Sequence, residues 1–295
     1  MTKTDENLIL SYLRLMRFPN AFTAMADVLA GYLIVMGSNI DWIDLLGLLL
    51  ASTCVYSAGC VLNDISDRIK DAVDHPLRPI PSGKISVPHA VYFSLGLSLT
   101  GLICVSPSGS GAIIILMLII LFSILYNFVT KNLIIIGPLT MAACRAFNLV
   151  LGMSQALSFE SHMMIFPFIT FCYVLFITAL SRFEERANIG KIGAIVFGSA
   201  FILIMISLYM GLGLYYSKEY LIFFIILLLL VCPPLLKSLL RPETLTIARA
   251  VTFLILGIPI LDAIYVSANQ GLLYGFPVAM LTVPSVILSQ FFYVT

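Results

Sequence analysis

The strongest constraint on this chain is the recurrence of apolar runs long enough to cross about 30 Å of hydrocarbon. Ten can be placed, near 18–37, 42–62, 87–106, 111–129, 136–157, 162–180, 193–214, 219–236, 248–268 and 275–293. Pro259, Pro277 and Pro284 interrupt the last pair, so the pattern also allows nine helices with one kinked or re-entrant segment. Of 295 residues, 60% are hydrophobic and 11% charged, against roughly a quarter charged in a soluble domain. Mean hydropathy is +1.06. One core cannot hide that much apolar surface, so lipid must solvate it. The expected fold is all-α integral membrane, a nine- or ten-helix transmembrane bundle forming a single domain over residues 1–295, with the lipid bilayer as a partner.

Charge is scarce and nearly balanced: sixteen Lys and Arg against fifteen Asp and Glu. No basic face is available for a phosphate backbone, so nucleic acid is not an expected partner. All the basic residues except Lys218 and Arg145 fall in connections on one side of the predicted spans. The positive-inside rule makes that side, with the N-terminus, cytoplasmic, and the multi-pass chain is expected in the cell (inner) membrane. The N-terminal stretch mixes both charge signs before any apolar run, so no removable signal peptide is expected. The six cysteines stand singly in apolar stretches and read as small core hydrophobes.

Against this background, Asp64, Asp67, Asp71 and Asp74 crowd into eleven positions directly after the second span. If that span continues as a helix, Asn63, Asp64, Asp67 and Asp71 fall within about 100° of one another. Carboxylates so close repel unless a divalent cation lies among them, and oxygen donors without histidine or thiolate suit Mg²⁺. Mg²⁺ typically bridges few carboxylates to phosphate, which makes a diphosphate the natural ligand. The alternative is a solvated acidic loop, interleaved with Arg68, Lys70 and Arg78 and screened by water. Beyond the cluster, three prolines and a glycine in residues 75–86 stiffen the helix exit, from which Arg78 and Lys84 can be presented to the same place.

The run N-D-x-x-D-x-x-x-D from Asn63 to Asp71, followed by R-P-I-P-S-G from Arg78 to Gly83, resembles the first aspartate-rich motif of the UbiA family of intramembrane prenyltransferases. Tyr126 and Lys131 extend the resemblance, although many members space that pair one residue closer. So does GPLTMAACRAFNLVLG, residues 137–152, similar to the helix that carries Arg145 and Asn148. The resemblance covers roughly residues 14 to 270 and implies Mg²⁺-dependent ionisation of a prenyl diphosphate, then transfer of the prenyl group to an acceptor that is not identified. It implies that Asp64, Asp67 and Asp71 hold Mg²⁺ and that Asn63 orients the diphosphate. Arg78, Lys131, Arg182 and Arg186 would neutralise the leaving charge, and Glu184 would take the acceptor's proton. Tyr126, Arg145 and Asn148 are expected at the substrate, and Arg17 and Asn20 near the cavity.

The second acidic motif departs from the family pattern. Many members read D-x-E-x-D where this chain has RFEER at residues 182–186, so only Glu184 is kept and arginines replace both aspartates. Guanidinium groups can grip diphosphate oxygens bidentately without metal; equally, they can mark a changed or lost activity. The S-R-F-E string, the wider Tyr-to-Lys spacing and Leu261–Asp262 look most like the EboC-like branch.

Ionisable residues within spans are costly in a bilayer and default to functional candidates. Asp27, Arg145 and Asp262 qualify, with mutual neutralisation as the structural alternative. Two rival readings remain at this level: a secondary transporter built on those three residues, and a family member that binds prenyl lipids without catalysis. His75, His89 and His162 show no metal spacing. Some of the many aromatic and methionine side chains can line a tunnel for an isoprenoid tail and shield a carbocation.

Overall fold

The computed structural model describes residues 8–156, 161–184 and 189–292. Among these residues there is no strand. The helices are α1 (Leu8–Leu15), α2 (Phe18–Met36), α3 (Trp42–Asp74), α4 (Val87–Val105), α5 (Ser110–Leu125), α6 (Ile136–Met153), α7 (Ile165–Ser181), α8 (Gly190–Tyr215), α9 (Leu221–Leu240), α10 (Thr244–Leu256), α11 (Ile258–Gln270), α12 (Leu272–Met280) and α13 (Thr282–Phe292). They make ten candidate membrane spans among the described residues. The sequence count of ten is met, and the two doubtful spans are continuous apolar paths built from broken pairs. The ninth is α10 with α11, which turns at Gly257 ahead of Pro259; the tenth is α12 with α13, divided at Leu281.

α3 sets the position of the acidic motif. Its start is capped by Asp41, whose carboxylate accepts the backbone N–H groups of Ile43 and Asp44 at 2.9 and 3.3 Å. It then runs for 33 residues, about 50 Å at 1.5 Å per residue, where about 30 Å is enough to cross hydrocarbon. The motif occupies the overhang, so the helix continues beyond the apolar run as the spacing argument required.

α2 and α6 pack closely enough for backbone to meet backbone. A Cβ at Gly152 would collide with the Val28 carbonyl oxygen and one at Gly31 with that of Leu149, so each glycine is a slot for the opposite helix. Small residues at a helix crossing are how membrane helices gain packing when lipid offers no hydrophobic drive. α11 forms the centre of the bundle: every residue from Ile258 to Ala268 is buried. α8, by contrast, exposes Ile192, Ile195, Ile202 and Leu203, as expected of a surface that faces lipid.

Candidate functional site

The overhanging end of α3 divides the predicted acidic face into two halves. Asp64 and Asp71, seven residues apart and therefore on one line of the helix, are buried, with side-chain exposures of 6% and 5%. Asp64 receives Nη2 of Arg17 at 3.0 Å, and Asp71 receives Nη1 of Arg78 at 2.7 Å. Arg17 stands at the break between α1 and α2 in a left-handed backbone conformation, φ 48° and ψ 47°, and is the one non-glycine residue with positive φ among those described. Such a geometry costs free energy and persists where its surroundings hold it; here the ion pair to Asp64 is one such restraint.

The other half of the face is open. Asn63, Asp67 and Asp74 line a polar vestibule of about 930 Å³, together with Lys70 and His75. Lys131, Arg182, Glu184 and Thr244 form its remaining walls, supplied by the segment before α6, the end of α7 and the start of α10. Asp67 is 27% exposed and is paired with Lys131, whose ammonium also donates to Ser66. The three aspartates therefore do not converge as one ligand trio. Each carboxylate meets a cation from a different part of the chain, and no group of three metal-ligating side chains exists among the described residues.

Lys131 reaches this position through an irregular turn. Residues Tyr126–Thr130 form a π-helical turn in which the Lys131 N–H donates to the Tyr126 carbonyl at 2.9 Å, five residues back. A π turn is how an α-helix absorbs one extra residue. The wider Tyr-to-Lys spacing noted in the resemblance falls on this turn, and both side chains line the vestibule. Asn127, inside the turn, fastens it to α3 by donating to the Gly59 carbonyl at 3.3 Å.

Behind the vestibule lies a mostly apolar inner cavity of about 310 Å³ between α2, α3, α5 and α6. Asn63 and Tyr126 line both spaces and so mark where they meet. Arg17, Tyr56 and Cys60 flank the inner cavity, while Val55, Ile119 and Met141 supply apolar wall.

Arg145 and Asn148 also face this cavity, but they are tied back into the bundle. Arg145 places Nε 3.1 Å from Asp27 Oδ2 and Nη2 3.1 Å from Oδ1, and Nη2 also donates to the Thr23 carbonyl at 3.0 Å. Asn148 donates to Asp27 at 2.9 Å and to the Ala24 carbonyl at 2.8 Å, and accepts from Ser52 at 2.7 Å. From α11, the fully buried Asp262 faces Asp27 and lies within range of the Arg145 charge. The structural alternative, neutralisation of Arg145 by a carboxylate within the spans, is therefore realised by Asp27.

The sequence-derived residues thus separate by position. Asn63, Asp67, Tyr126, Lys131, Arg182 and Glu184 line the vestibule, Arg145 and Asn148 line the inner cavity, and Asp64, Asp71 and Arg78 are locked in pairs beside them. Asn20 lines neither space; its carbonyl accepts the Thr23 hydroxyl at 2.7 Å in the first turn of α2. Arg186 lies outside the described residues. Asp74, Lys70 and His75, which the sequence reading named without making them site residues, and Thr244, which it missed, also stand in the vestibule wall. Helical periodicity could have found Asp74, seven residues after Asp67 on the same face; Thr244 carries no local signal, because tertiary packing of α10 against α7 brings it there.

The donors present fit a hard cation. Asn63 and Asp67 are one turn apart, with Cβ atoms about 5–6 Å from each other by helix geometry, and both open to the vestibule. They offer oxygen only and leave room for water and phosphate, the setting in which Mg²⁺ is usually held.

A sequence model of the UbiA prenyltransferase family matches residues 24–256. The chain is similar to the digeranylgeranylglyceryl phosphate synthase of Methanosphaera stadtmanae, with 33% identity over 146 residues, a match covering 48% of this chain and 51% of that one. It therefore spans about half the length of that curated relative. Among solved structures, a digeranylgeranylglyceryl phosphate synthase in membranes shares the fold with a TM-score of 0.67 and 23% identity over 90% of this chain and 99% of that one. A UbiA homologue from Archaeoglobus fulgidus bound to GPP and Mg²⁺ gives a TM-score of 0.54 and 13% identity over 91% and 99%. With the family matched across most of its length and the fold shared nearly end to end, this chain belongs to the UbiA prenyltransferase family.

Proposed function

We propose that the protein transfers an isoprenyl group from a prenyl diphosphate to a lipid acceptor at the cytoplasmic face of a membrane. The observation that carries this reading is the meeting of a polar vestibule and an apolar inner cavity at Asn63 and Tyr126. A prenyl diphosphate has the same two-part character: the diphosphate suits the vestibule, the hydrocarbon suits the inner cavity, and the bond between them lies at the junction.

Asn63 and Asp67 would hold Mg²⁺, whose charge draws electrons from the leaving diphosphate when bound. As the C–O bond ionises, negative charge gathers on the diphosphate oxygens in a site shielded from bulk water. Preoriented cations are worth most in such surroundings. Lys131, released from Asp67, and Arg182 face that charge from the opposite walls. Arg17 and Arg78 keep Asp64 and Asp71 neutralised, so that end of α3 does not repel the incoming anion. The ring of Tyr126 lies at the junction, where an allylic cation forms. The acceptor oxygen attacks that carbon and loses its proton to Glu184 in the vestibule wall.

The curated relatives are named for digeranylgeranylglyceryl phosphate synthesis, which makes an acceptor with a glyceryl phosphate head the first to test. Lys70, Lys131 and Arg182 provide positive charge for such a head. The transporter reading loses its motive, because Asp27 and Arg145 neutralise each other within the bundle.

The test uses purified protein in lipid nanodiscs with labelled geranylgeranyl diphosphate, geranylgeranylglyceryl phosphate and Mg²⁺. Formation of the doubly prenylated lipid, abolished by Asp67→Asn, supports transfer. Tight, Mg²⁺-dependent diphosphate uptake with no turnover on any acceptor would favour the non-catalytic, lipid-binding alternative.

A further inference from the structure

The wall of the vestibule opposite α3 carries a guanidinium that is built into the fold. Arg182, at the end of α7, donates Nη2 to the Lys131 carbonyl at 2.6 Å. A Cβ at Gly137 would collide with that same Nη2 and come within 2.8 Å of the Thr130 carbonyl oxygen. The absence of a side chain at residue 137 therefore opens the slot through which Arg182 reaches the start of α6. The guanidinium is held, half-buried, beside Lys131 and across from Asn63 and Asp67.

The charge balance shows what this does. Among the described residues, Asp67, Asp74 and Glu184 set three negative charges in the vestibule wall against three positive ones from Lys70, Lys131 and Arg182. An aspartate in place of Arg182 would turn that balance into two excess negative charges. Two units is the charge of one divalent cation. Residue 182 is also where the family resemblance places an acidic residue of the second motif, and a guanidinium there offers a metal ion no oxygen ligand.

We infer that Arg182, with Lys131, takes the electrostatic place of a second metal ion, so that this chain loads one divalent cation per prenyl diphosphate, on the α3 side alone. The guanidinium grips diphosphate oxygens through its remaining N–H groups, a geometry that an ammonium cannot reproduce. This rests on the prenyl diphosphate reading above and adds to it a metal count and a residue responsible for that count.

The test measures stoichiometry and needs no turnover. Full-length protein in nanodiscs is equilibrated with labelled geranyl S-thiolodiphosphate and Mn²⁺, and bound Mn²⁺ is counted by electron paramagnetic resonance. The expected ratio is about one Mn²⁺ per bound diphosphate in the parent protein, rising toward two in Arg182→Asp. Arg182→Gln should keep a ratio near one while weakening diphosphate uptake by about tenfold or more. A ratio of two in the parent protein overturns the inference and leaves the proposed function standing. So does an Arg182→Asp variant that stays at one with uptake unweakened. Failure of the parent protein to take up the diphosphate at all removes the proposed function and this inference together. Should Arg182→Asp fail to fold, the parent ratio and Arg182→Gln still decide.

Discussion

Arg145 is expected to be worth more to stability than Asp27, although the two form one ion pair. Asp27 is fully buried, and its carboxylate accepts from Nη2 of Arg145 at 3.1 Å and from the Asn148 amide at 2.9 Å, with Nε of Arg145 in ion-pair range at 3.1 Å. Asp262 faces the same pair, and neither of its oxygens has a donor among the described residues. Arg145→Met removes the one cation and leaves two buried carboxyl groups confronting each other. Breaking a buried pair from one side typically costs about 3–5 kcal/mol, and that range is expected here. Asp27→Asn preserves shape and an acceptor oxygen, and Asp262 lies within range of Arg145 to serve as the counter-charge in its place. The expected loss is then the strength of a charge-assisted hydrogen bond, about 1.5–3 kcal/mol. Replacing both carboxylates, Asp27→Asn with Asp262→Asn, strips Arg145 of every anion and should bring the cost back to about 3–5 kcal/mol. The assay is reversible unfolding by SDS in mixed micelles, followed by circular dichroism and extrapolated linearly. Equal costs for Arg145→Met and Asp27→Asn, or a double variant no worse than Asp27→Asn alone, would show that Asp262 is not part of the charge group.

The remaining predictions concern the site and its supports. Gly152→Ala pushes a methyl group at the Val28 carbonyl, and overpacking of this kind should lower stability by about 1–3 kcal/mol in the same unfolding assay. Lys131→Ala unpairs Asp67 and should weaken geranyl diphosphate binding by about tenfold or more, measured by equilibrium dialysis. Gly137→Ala should act like Arg182→Gln on diphosphate uptake, because its methyl group occupies the space the guanidinium now fills. Chelation of divalent cations should abolish diphosphate uptake yet leave the unfolding midpoint of the ligand-free protein unchanged, since the aspartates are already paired by arginine and lysine.

How far the sequence could be read depended on how local each signal was. The spans were legible because hydrocarbon thickness and helix rise together fix a length scale. The ninth and tenth remained ambiguous because a proline shows where a helix bends without showing whether it goes on across. The acidic face of α3 was legible from a period of 3.6 residues. Its division into a paired half and an open half was not, since Arg17 and Arg78 come to it from 47 residues before and seven after. Asn20 follows Arg17 by three residues, and its carbonyl accepts the Thr23 hydroxyl in the first turn of α2. Arg182 was legible as a departure from the second motif, whereas the slot at Gly137, 45 positions earlier, that admits its guanidinium was not.

The swollen turn at Tyr126–Thr130 bears on how the bundle tolerates change in chain length. An insertion within an ordinary helix rotates everything beyond it by about 100°, which would swing α6, and with it the pocket wall, away from its partners. Here the surplus is taken up locally, so the glycine crossing with α2 and the buried charges beyond keep their alignment. The stretch between the fourth and fifth spans thus behaves as an expansion joint: a single residue can be gained or lost there while the helices on either side stay in step.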